Sequence, residues 1–352
     1  MIIGLRQTGK TTLAKEICSR FSYQQFNFDL ASDRAEFFEQ TRHSLSAFAE
    51  RYRGQLLFID EVQKLPESTS IIKHLHDQYG FRFLLTGSSA LKLRRAAGDT
   101  LAGRVRIWHL YPLSFTELLI QRDELAMGAP VPPERGRALL EQALVYGALP
   151  RLINLPPAEQ APYLRDFMDT ILVQDALEIS ALRKSTKLVA LARYLALQIG
   201  QLVNVNELAQ LTELSRASVY HYMEVLEQLS LIVRLRPISV SGRTAISVKE
   251  KVYFTDLGLR NALVNNFEPL NVRLDRGQLL ENAACLGLKR QLDYNRATYE
   301  LGFFRSPAGS EIDLVLKQGK REELFEVKTR RTWRPPVGVT AITPDNAWEY
   351  LR

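Results

Sequence analysis

Short apolar segments alternate with helical patterns over the first third of the chain. The segments "FNFDL", "LLFIDEV", "FRFLLTGSS" and "RIWHLYPLS" read as buried strands, and about twenty or more residues with helical periodicity separate each from the next. Strands that alternate with helices at this spacing are typical of a parallel sheet with crossover helices. The pattern therefore predicts an α/β core with a parallel sheet, which we place at residues 1–125.

The hydrophobic pattern changes after residue 119. A polar stretch with several prolines, "QRDELAMGAPVPPERGR", interrupts it, and helical periodicity then continues to about residue 187. Residues 188 to about 259 read as three short helices and a strand pair, and mixed α and β patterns return from residue 275. We therefore predict three further domains, at residues 126–187, 188–265 and 266–352.

Composition is that of an ordinary folded protein. The 352 residues are 46% hydrophobic and 24% charged, and the net charge of +7 is spread over both halves of the chain. The longest apolar stretch, residues 188–203, contains Arg193 and is shorter than the roughly 20 residues that a membrane span requires, so it predicts a buried helix. Cys18 and Cys285 lack the spacing of a metal or redox motif, and the N-terminal motif leaves no room for a signal peptide. We expect a reducing, cytoplasmic setting with no membrane partner.

A phosphate-binding motif stands at the start of the chain. "GLRQTGKT" fits the pattern GxxxxGK[ST], in which backbone N–H groups wrap the phosphates, the lysine reaches the β and γ oxygens and the last hydroxyl holds Mg²⁺. The helix that follows directs its positive end toward the anion. The alternative is a glycine turn before a helix. The motif predicts ATP and Mg²⁺ as cofactors, and the candidate binding residues are Gly4, Gln7, Thr8, Gly9, Lys10, Thr11 and Thr12.

Polar residues follow two of the later predicted strands. In "LLFIDEVQKLP" the first carboxylate, Asp60, is suited to ordering Mg²⁺ and the second, Glu61, to polarising water. The alternative is a strand that ends in two solvated acids. "FRFLLTGSS" ends in the hydroxyls of Thr86, Ser88 and Ser89, and of these Ser88 is our candidate for contact with the γ-phosphate. A Gly/Ser turn is the alternative there.

Two arginines are candidates for stabilising charge in the transition state. Arg104 stands just ahead of the predicted strand "RIWHLYPLS". At that position a cation would complete the nucleotide site of a neighbouring subunit. This role requires a homo-oligomer, of which a ring is one form. Arg151, in "YGALPRLI", would supply a cation from the helical segment. The alternative for Arg104 is a surface arginine at a helix end.

Seven segments together resemble AAA-type ATPases that carry a C-terminal DUF4143 region. The resemblance covers essentially the whole chain and rests on "GLRQTGKTTL", "LLFIDEVQKLP", "LLTGSSALKL", "LAGRVRIWHLYPLSFTEL", "YGALPRL", "KVYFTDLGLR" and "SEIDLVL…FEVKT". It implies a P-loop ATPase core of the additional-strand class, a helical lid, a winged-helix segment and a C-terminal α/β domain that is restriction-endonuclease-like. Relatives usually have a further N-terminal segment. Its absence here suggests an upstream start codon or altered adenine binding.

The third predicted domain has a helix-turn-helix pattern and basic strands. Leu208, Leu211 and Leu214 fit a first helix, and Ser215 caps a second helix that turns Val219, Tyr222 and Leu226 inward. The strands beyond it read as a basic two-stranded wing with the single acid Glu250, which is typical of phosphate contact. A protein-interaction module or a solvated basic hairpin is the alternative. The candidate DNA-binding residues are Arg216, Ser218 and His221 on the second helix and Arg234, Arg236, Arg243, Lys249 and Lys251 on the wing.

The last domain contains an acidic cluster of the nuclease kind. Asp313 in "EIDLVL" and Glu326 with Lys328 in "LFEVKT" match the D…ExK pattern, in which two carboxylates hold Mg²⁺ and an ammonium lies beside the scissile phosphate. Glu281 on a preceding helix is a further candidate ligand. The alternative is a pair of amphipathic strands, and the resemblance is what favours the nuclease-like fold.

Two functions fit these patterns. The first is a Mg²⁺-dependent ATPase that binds and remodels DNA, with branched DNA as a candidate substrate, through its winged-helix and nuclease-like domains. The second is an ATP-gated regulatory switch whose C-terminal domains bind a protein partner and whose nuclease fold is degenerate.

Overall fold

The computed structural model of the protein describes residues 1–88, 103–121, 133–175, 185–240, 249–306, 310–329, 333 and 335–351. These residues form two compact units. The first is Met1–Leu110 with Gln228–Ser230, and the second is Tyr111–Glu227 with Leu231–Arg352. Two residues named in the sequence analysis lie outside these ranges. They are Arg243, a candidate DNA contact, and Ser89, one of the hydroxyl residues after the third predicted strand.

A five-stranded parallel sheet forms the centre of the first unit and confirms the predicted α/β core. Its strands are β1 (Ile2–Ile3), β2 (Tyr23–Asn27), β3 (Leu56–Asp60), β4 (Arg82–Gly87) and β5 (Trp108–His109). They lie in the order β2-β3-β4-β1-β5. Strand β1 is only two residues long, but it is paired on both sides, since Ile2 lies opposite Thr86 and Trp108. Strand β4 lies between β1 and β3, as the additional-strand class implies.

Alternating side chains of this sheet enter two separate hydrophobic clusters. Leu57 and Ile59 of β3 pack into an aromatic cluster, whereas Phe58 between them packs with Ala14 and Cys18 on the other face. This alternation follows from the two-residue period of a strand. The helices of this unit are α1 (Lys10–Cys18), α2 (Ala31–His43), α3 (Leu45–Arg51) and α4 (Ser68–Tyr79).

Helices dominate the first part of the second unit. Within the described ranges, no helix is long and apolar enough to cross a membrane. The predicted buried apolar helix is present at residues 185–197, where Leu188, Leu191 and Leu195 are buried. The helices are α5 (Phe115–Gln121), α6 (Pro133–Tyr146), α7 (Pro157–Thr170), α8 (Ser185–Leu197), α9 (Val205–Thr212), α10 (Arg216–Gln228), α11 (Leu257–Leu263), α12 (Arg276–Asn295) and α13 (Ala347–Tyr350).

The segments "YGALPRL" and "FTDLGLR" interlock through two glycines. A Cβ on Gly258 would lie 2.0 Å from the carbonyl oxygen of Tyr146, and a Cβ on Gly147 would lie 2.2 Å from Oδ1 of Asp256. The backbone N–H of Ala148 donates to Asp256 Oδ2 at 2.8 Å. Because real side chains do not tolerate such distances, both positions require glycine for the two segments to meet.

A strand pair and a four-stranded sheet complete the second unit. The strands are β6 (Ile232–Leu235), β7 (Lys251–Phe254), β8 (Glu300–Arg305), β9 (Glu311–Gln318), β10 (Arg321–Val327) and β11 (Val339–Ile342). Strands β6 and β7 form an antiparallel hairpin, and the larger sheet has the order β11-β10-β9-β8, in which only β10 and β11 are parallel. The chain after β6 continues along β8, where the N–H of Ile238 donates to the carbonyl of Phe303 at 2.7 Å. The hairpin is therefore packed against the C-terminal sheet.

Candidate functional site

The phosphate-binding motif forms a closed loop between β1 and α1. The ammonium of Lys10 is buried and donates to the carbonyl oxygens of Gly4 at 3.1 Å and Leu5 at 2.9 Å. The hydroxyl of Thr8 also donates to Leu5 at 2.9 Å. A Cβ on Gly4 would lie 2.1 Å from the carbonyl oxygen of Leu110, so this close approach requires glycine.

The other motif residues surround the start of α1. Gly9 is the N-cap of the helix and has φ +90°, in the left-handed region that favours glycine. Gln7 also has a positive φ and is exposed, as is Thr12. The free N–H groups of a helix N-terminus favour an anion, so the loop has the chemistry of a phosphate site.

Three oxygen-bearing side chains meet at the edge of the sheet beside this loop. The hydroxyl of Thr11 donates to Asp60 Oδ1 and Oδ2, with distances of 3.1 and 2.9 Å. Thr86, at the end of β4, donates to the same carboxylate through a short hydrogen bond. Hydroxyl and carboxylate oxygens are the ligands that Mg²⁺ prefers, so the donor set fits the expected metal. Thr86 is one of the three hydroxyl residues at the end of "FRFLLTGSS", and it contacts Asp60, whereas Ser88 contacts Gln63.

The carboxylate of Glu61 is held by a glutamine that the sequence analysis did not single out. Gln63 is buried, and its Nε2 donates both to Glu61 Oε2 and to Ser88 Oγ, the latter at 3.0 Å. The N–H of Glu61 donates to Thr86 Oγ1 at 3.2 Å. Gln63 therefore couples Ser88 at the end of β4 to Glu61. Its position two residues after the acid was the only signal in the sequence.

The two candidate arginines are both exposed. Arg104 Nε lies 2.7 Å from Asp77 Oδ1, and this hydrogen bond lowers the pKa of the Asp77 carboxyl. Arg151 lies in a short 3₁₀ helix, Pro150–Asn154, of the second unit. Roles for both in nucleotide hydrolysis stay predictions.

The predicted second helix of the helix-turn-helix is α10, and three residues separate it from the end of α9. The N–H of Ser218 donates to Ser215 Oγ at 3.1 Å, which is the predicted cap. Val219, Tyr222 and Leu226 are buried as expected, although Leu211 on the first helix is 46% exposed. Of the candidate DNA contacts on this helix, Arg216 and His221 are exposed and Ser218 is half-buried.

The basic hairpin differs from the prediction of an exposed wing. Arg234 is largely buried and lies 3.1 Å from Glu227 and 3.4 Å from Glu250. Lys251 is almost completely buried, because every residue of β7 faces packed structure. Neither side chain is placed for a phosphate contact. Arg236, with a 76% exposed side chain 3.1 Å from Glu250, and Lys249 remain on the surface.

The predicted nuclease cluster is present in part. Lys328 Nζ lies 2.7 Å from Glu326 Oε2 and 3.8 Å from Asp313 Oδ2, as the D…ExK pattern predicts. Asp313 also accepts the backbone N–H of Val327 at 2.8 Å. Glu281 is instead engaged by Lys251. Among the described residues no group of three His, Cys, Asp or Glu side chains is placed to hold a metal. Roles for Asp313, Glu326 and Lys328 in a nuclease reaction stay predictions.

Three family models match successive parts of the chain. Residues 1–119 match the AAA domain, residues 137–270 match a domain of unknown function, DUF8612, and residues 276–338 match another, DUF4143. These matches confirm the resemblance to AAA-type ATPases with a DUF4143 region, and the AAA match supports ATP binding and hydrolysis.

Distant relatives span most of the chain. An uncharacterized protein of Methanocaldococcus jannaschii is 24% identical over 340 residues, which cover 93% of this chain and 74% of the relative. An uncharacterized protein of Mycobacterium tuberculosis is 24% identical over 335 residues, covering 94% and 70%.

Solved structures of two ORC proteins align with part of the chain. The ORC2 protein of Aeropyrum pernix in its ADP form is 20% identical, with a TM-score of 0.34, and the alignment covers 66% of this chain and 80% of that one. The ORC1 protein of the same organism in complex with DNA is 16% identical, with a TM-score of 0.34 and coverage of 75% and 86%.

Proposed function

We propose that this protein is a Mg²⁺-dependent ATPase that binds and remodels DNA through its second unit. The observation that carries the ATPase proposal is the convergence of Lys10, Thr11, Asp60 and Glu61 at one edge of the parallel sheet. These four residues come from two motifs 50 positions apart in the chain, and the AAA domain match covers both motifs.

Each residue at this edge has a distinct role in the proposal. The ammonium of Lys10 and the N–H groups of the loop bind the phosphates of ATP. Thr11 and Asp60 hold Mg²⁺, which when bound neutralises charge on the phosphate oxygens. Glu61 accepts a proton from the attacking water. Gln63 orients the Glu61 carboxylate through its hydrogen bond, and Ser88 fixes Gln63 in turn.

We further propose that Arg104 acts on the nucleotide of a neighbouring copy, which requires a homo-oligomer. Its position ahead of β5 and its exposed side chain support this assignment. In that arrangement the ion pair with Asp77 holds the guanidinium until a neighbouring phosphate competes for it.

DNA is the proposed partner of the second unit because several of the candidate DNA-contacting side chains are exposed there. The exposed cations are Arg216 on α10 and Arg236 and Lys249 on the hairpin, and the His221 side chain is exposed on α10 as well. Exposed cations bind the phosphate backbone with little dependence on sequence. A partner read mainly through its phosphates is therefore the one that this surface favours.

The ion pairs of Arg234 and Lys251 favour a second candidate, an ATP-gated switch that binds a protein. These pairs remove two of the predicted cations from the surface and so reduce its attraction for DNA. In this alternative, ATP occupancy changes protein contacts and turnover is slow.

The experiment that separates the two candidates measures ATP hydrolysis with and without DNA. The purified protein is assayed with Mg²⁺ alone and then with single-stranded, duplex, forked and four-way DNA. A DNA-remodelling ATPase is expected to hydrolyse ATP several-fold faster with at least one of these substrates, and the same substrate should be retained in a gel-shift assay. Slow turnover that no DNA changes would contradict the DNA-remodelling proposal and favour the switch.

A further inference from the structure

Lys251 is a buried cation at the start of β7. Its side chain is 3% exposed, although the sequence places it in a basic segment that reads as surface. The strand is enclosed because it pairs with β6 on one side and contacts α12. A buried ammonium is very unfavourable unless charged partners surround it.

Two carboxylates from separate elements supply those partners. Lys251 Nζ lies 3.0 Å from Glu281 Oε1 on α12 and 2.7 Å from Glu311 Oε1 on β9. The face of the Phe303 ring, 5.3 Å away on β8, provides a further favourable contact for the cation. The hydroxyl of Tyr253 donates to the same Glu281 oxygen at 2.6 Å. One ammonium thus connects the hairpin, a helix and the C-terminal sheet.

This arrangement bears on the third candidate ligand of the nuclease-like domain. Glu281 is engaged by Lys251 and Tyr253, and it shares the Lys251 ammonium with Glu311. A metal held by Glu281 would approach this ammonium, and like charges repel at such distances. Glu281 and Glu311 therefore have their compensating charge from within the chain.

We propose that Lys251 is the resident cation of the acidic cluster formed by Glu281 and Glu311, where its ammonium takes the place of a divalent metal. The cluster then joins the β6–β7 hairpin and α12 to the C-terminal sheet, and Glu281 is not a metal ligand. This inference concerns the second unit and does not depend on ATP hydrolysis.

Thermal unfolding of the full-length protein tests the proposal, with nucleotide absent and Mn²⁺ as the probe. All proteins carry Asp60→Asn, which removes the metal site proposed beside the phosphate-binding loop, and with Lys251 intact the Tm should be the same in EDTA and in Mn²⁺. Lys251→Ala removes the cation from the partly buried acids Glu281 and Glu311 and should lower the Tm by about 5 °C or more in EDTA. Mn²⁺ should recover part of that loss, because the freed carboxylates then accept a divalent ion. Lys249→Ala, at an exposed neighbouring position, is the matched control and should change the Tm little in either condition.

A second variant keeps the test decisive if Lys251→Ala fails to fold. Lys251→Met combined with Glu281→Gln and Glu311→Gln removes all three charges at nearly constant volume, so it should fold and be more stable than Lys251→Ala alone. Any Mg²⁺-dependent nicking of supercoiled DNA by the wild-type protein should persist in Glu281→Gln, because Glu281 does not hold the metal. The proposal is overturned by a Mn²⁺-dependent rise in the Tm of the Asp60→Asn protein with Lys251 intact, by wild-type nicking that Glu281→Gln abolishes, or by a Lys251→Ala protein as stable as its parent.

Discussion

The hydroxyl of Thr11 donates to both carboxylate oxygens of Asp60, at 3.1 and 2.9 Å, although 49 positions separate the two residues in the chain. The contact forms because β1 and β3 are parallel strands of one sheet, so that the loop after β1 and the last residue of β3 lie at the same edge. Thr86 of the intervening strand donates to the same carboxylate. This edge is the centre of the proposed ATPase.

Gln63 should act as a positioning residue for Glu61. Because Gln63 Nε2 holds the Glu61 carboxylate, Gln63→Leu should lower the kcat of ATP hydrolysis about 10- to 100-fold while the Kd for ATP changes less than about twofold. Steady-state kinetics and a nucleotide-binding titration measure the two quantities. Gln24→Leu, near the amino end of β2, is the control and should leave kcat unchanged. Loss of ATP affinity with an unchanged kcat would contradict the assignment.

Shared catalysis through Arg104 predicts complementation between two inactive variants. Arg104→Ala chains and Glu61→Gln chains should each hydrolyse ATP poorly, and their mixture should be more active, because some interfaces then pair an intact Glu61 with an intact Arg104. Arg53→Ala, which alters another exposed arginine of the same unit, should be active alone. Shared catalysis would be contradicted if the protein stays monomeric with ATP and its turnover per chain does not change with protein concentration.

Gly258 should be far less tolerant of substitution than Gly277, although both lie in helices. A Cβ at position 258 meets the carbonyl oxygen of Tyr146 at 2.0 Å, whereas a Cβ at position 277 meets nothing closer than Thr329 Cγ2 at 3.9 Å. Gly258→Ala should lower the free energy of unfolding by about 1–3 kcal/mol or more. Gly277→Ala should leave it unchanged or raise it slightly. Denaturant midpoints measure both, and equal midpoints would show that the two segments do not interlock.

The exposed cations of the second unit should govern DNA affinity. Reversing Arg216, Arg236 and Lys249 to Glu should weaken binding about equally for different sequences and reduce the salt slope by about 0.7–0.9 for each phosphate that the protein no longer neutralises. Fluorescence anisotropy at several salt concentrations measures this change. Lys320→Glu, in the turn between β9 and β10, is the control. An unchanged salt slope in the triple variant would favour the protein-binding switch.

Local spacing in the sequence was sufficient to predict the parallel core and the phosphate-binding loop. The fixed spacing of Gly4, Gly9 and Lys10 constrains a single turn, and the apolar run before Asp60 identifies a strand that ends in an acid. Both the strand and the loop are determined by residue types that are close together in the chain, so their positions can be predicted from the sequence alone.

Interactions between distant segments are what the sequence patterns missed. Lys251 reads as a surface cation because its partners, Glu281 and Glu311, follow 30 and 60 positions later on other elements. Gln63 was overlooked because its role depends on Ser88, which reaches it only through the pairing of β3 and β4. Tertiary packing determines the contacts of both side chains, and local hydrophobic periodicity contains no information about contacts between distant segments.

Hydrolysis by the Glu61→Gln variant, measured together with ATP binding, tests the central claim most directly. With Mg²⁺, this variant should bind ATP as tightly as wild type but turn it over at least about 100-fold more slowly, because the base that accepts the water proton is absent while Lys10, Thr11 and Asp60 are intact. Lys10→Ala should instead abolish ATP binding, since it removes the cation that contacts the phosphates. Undiminished hydrolysis in both variants would show that this edge of the sheet is not an ATPase site.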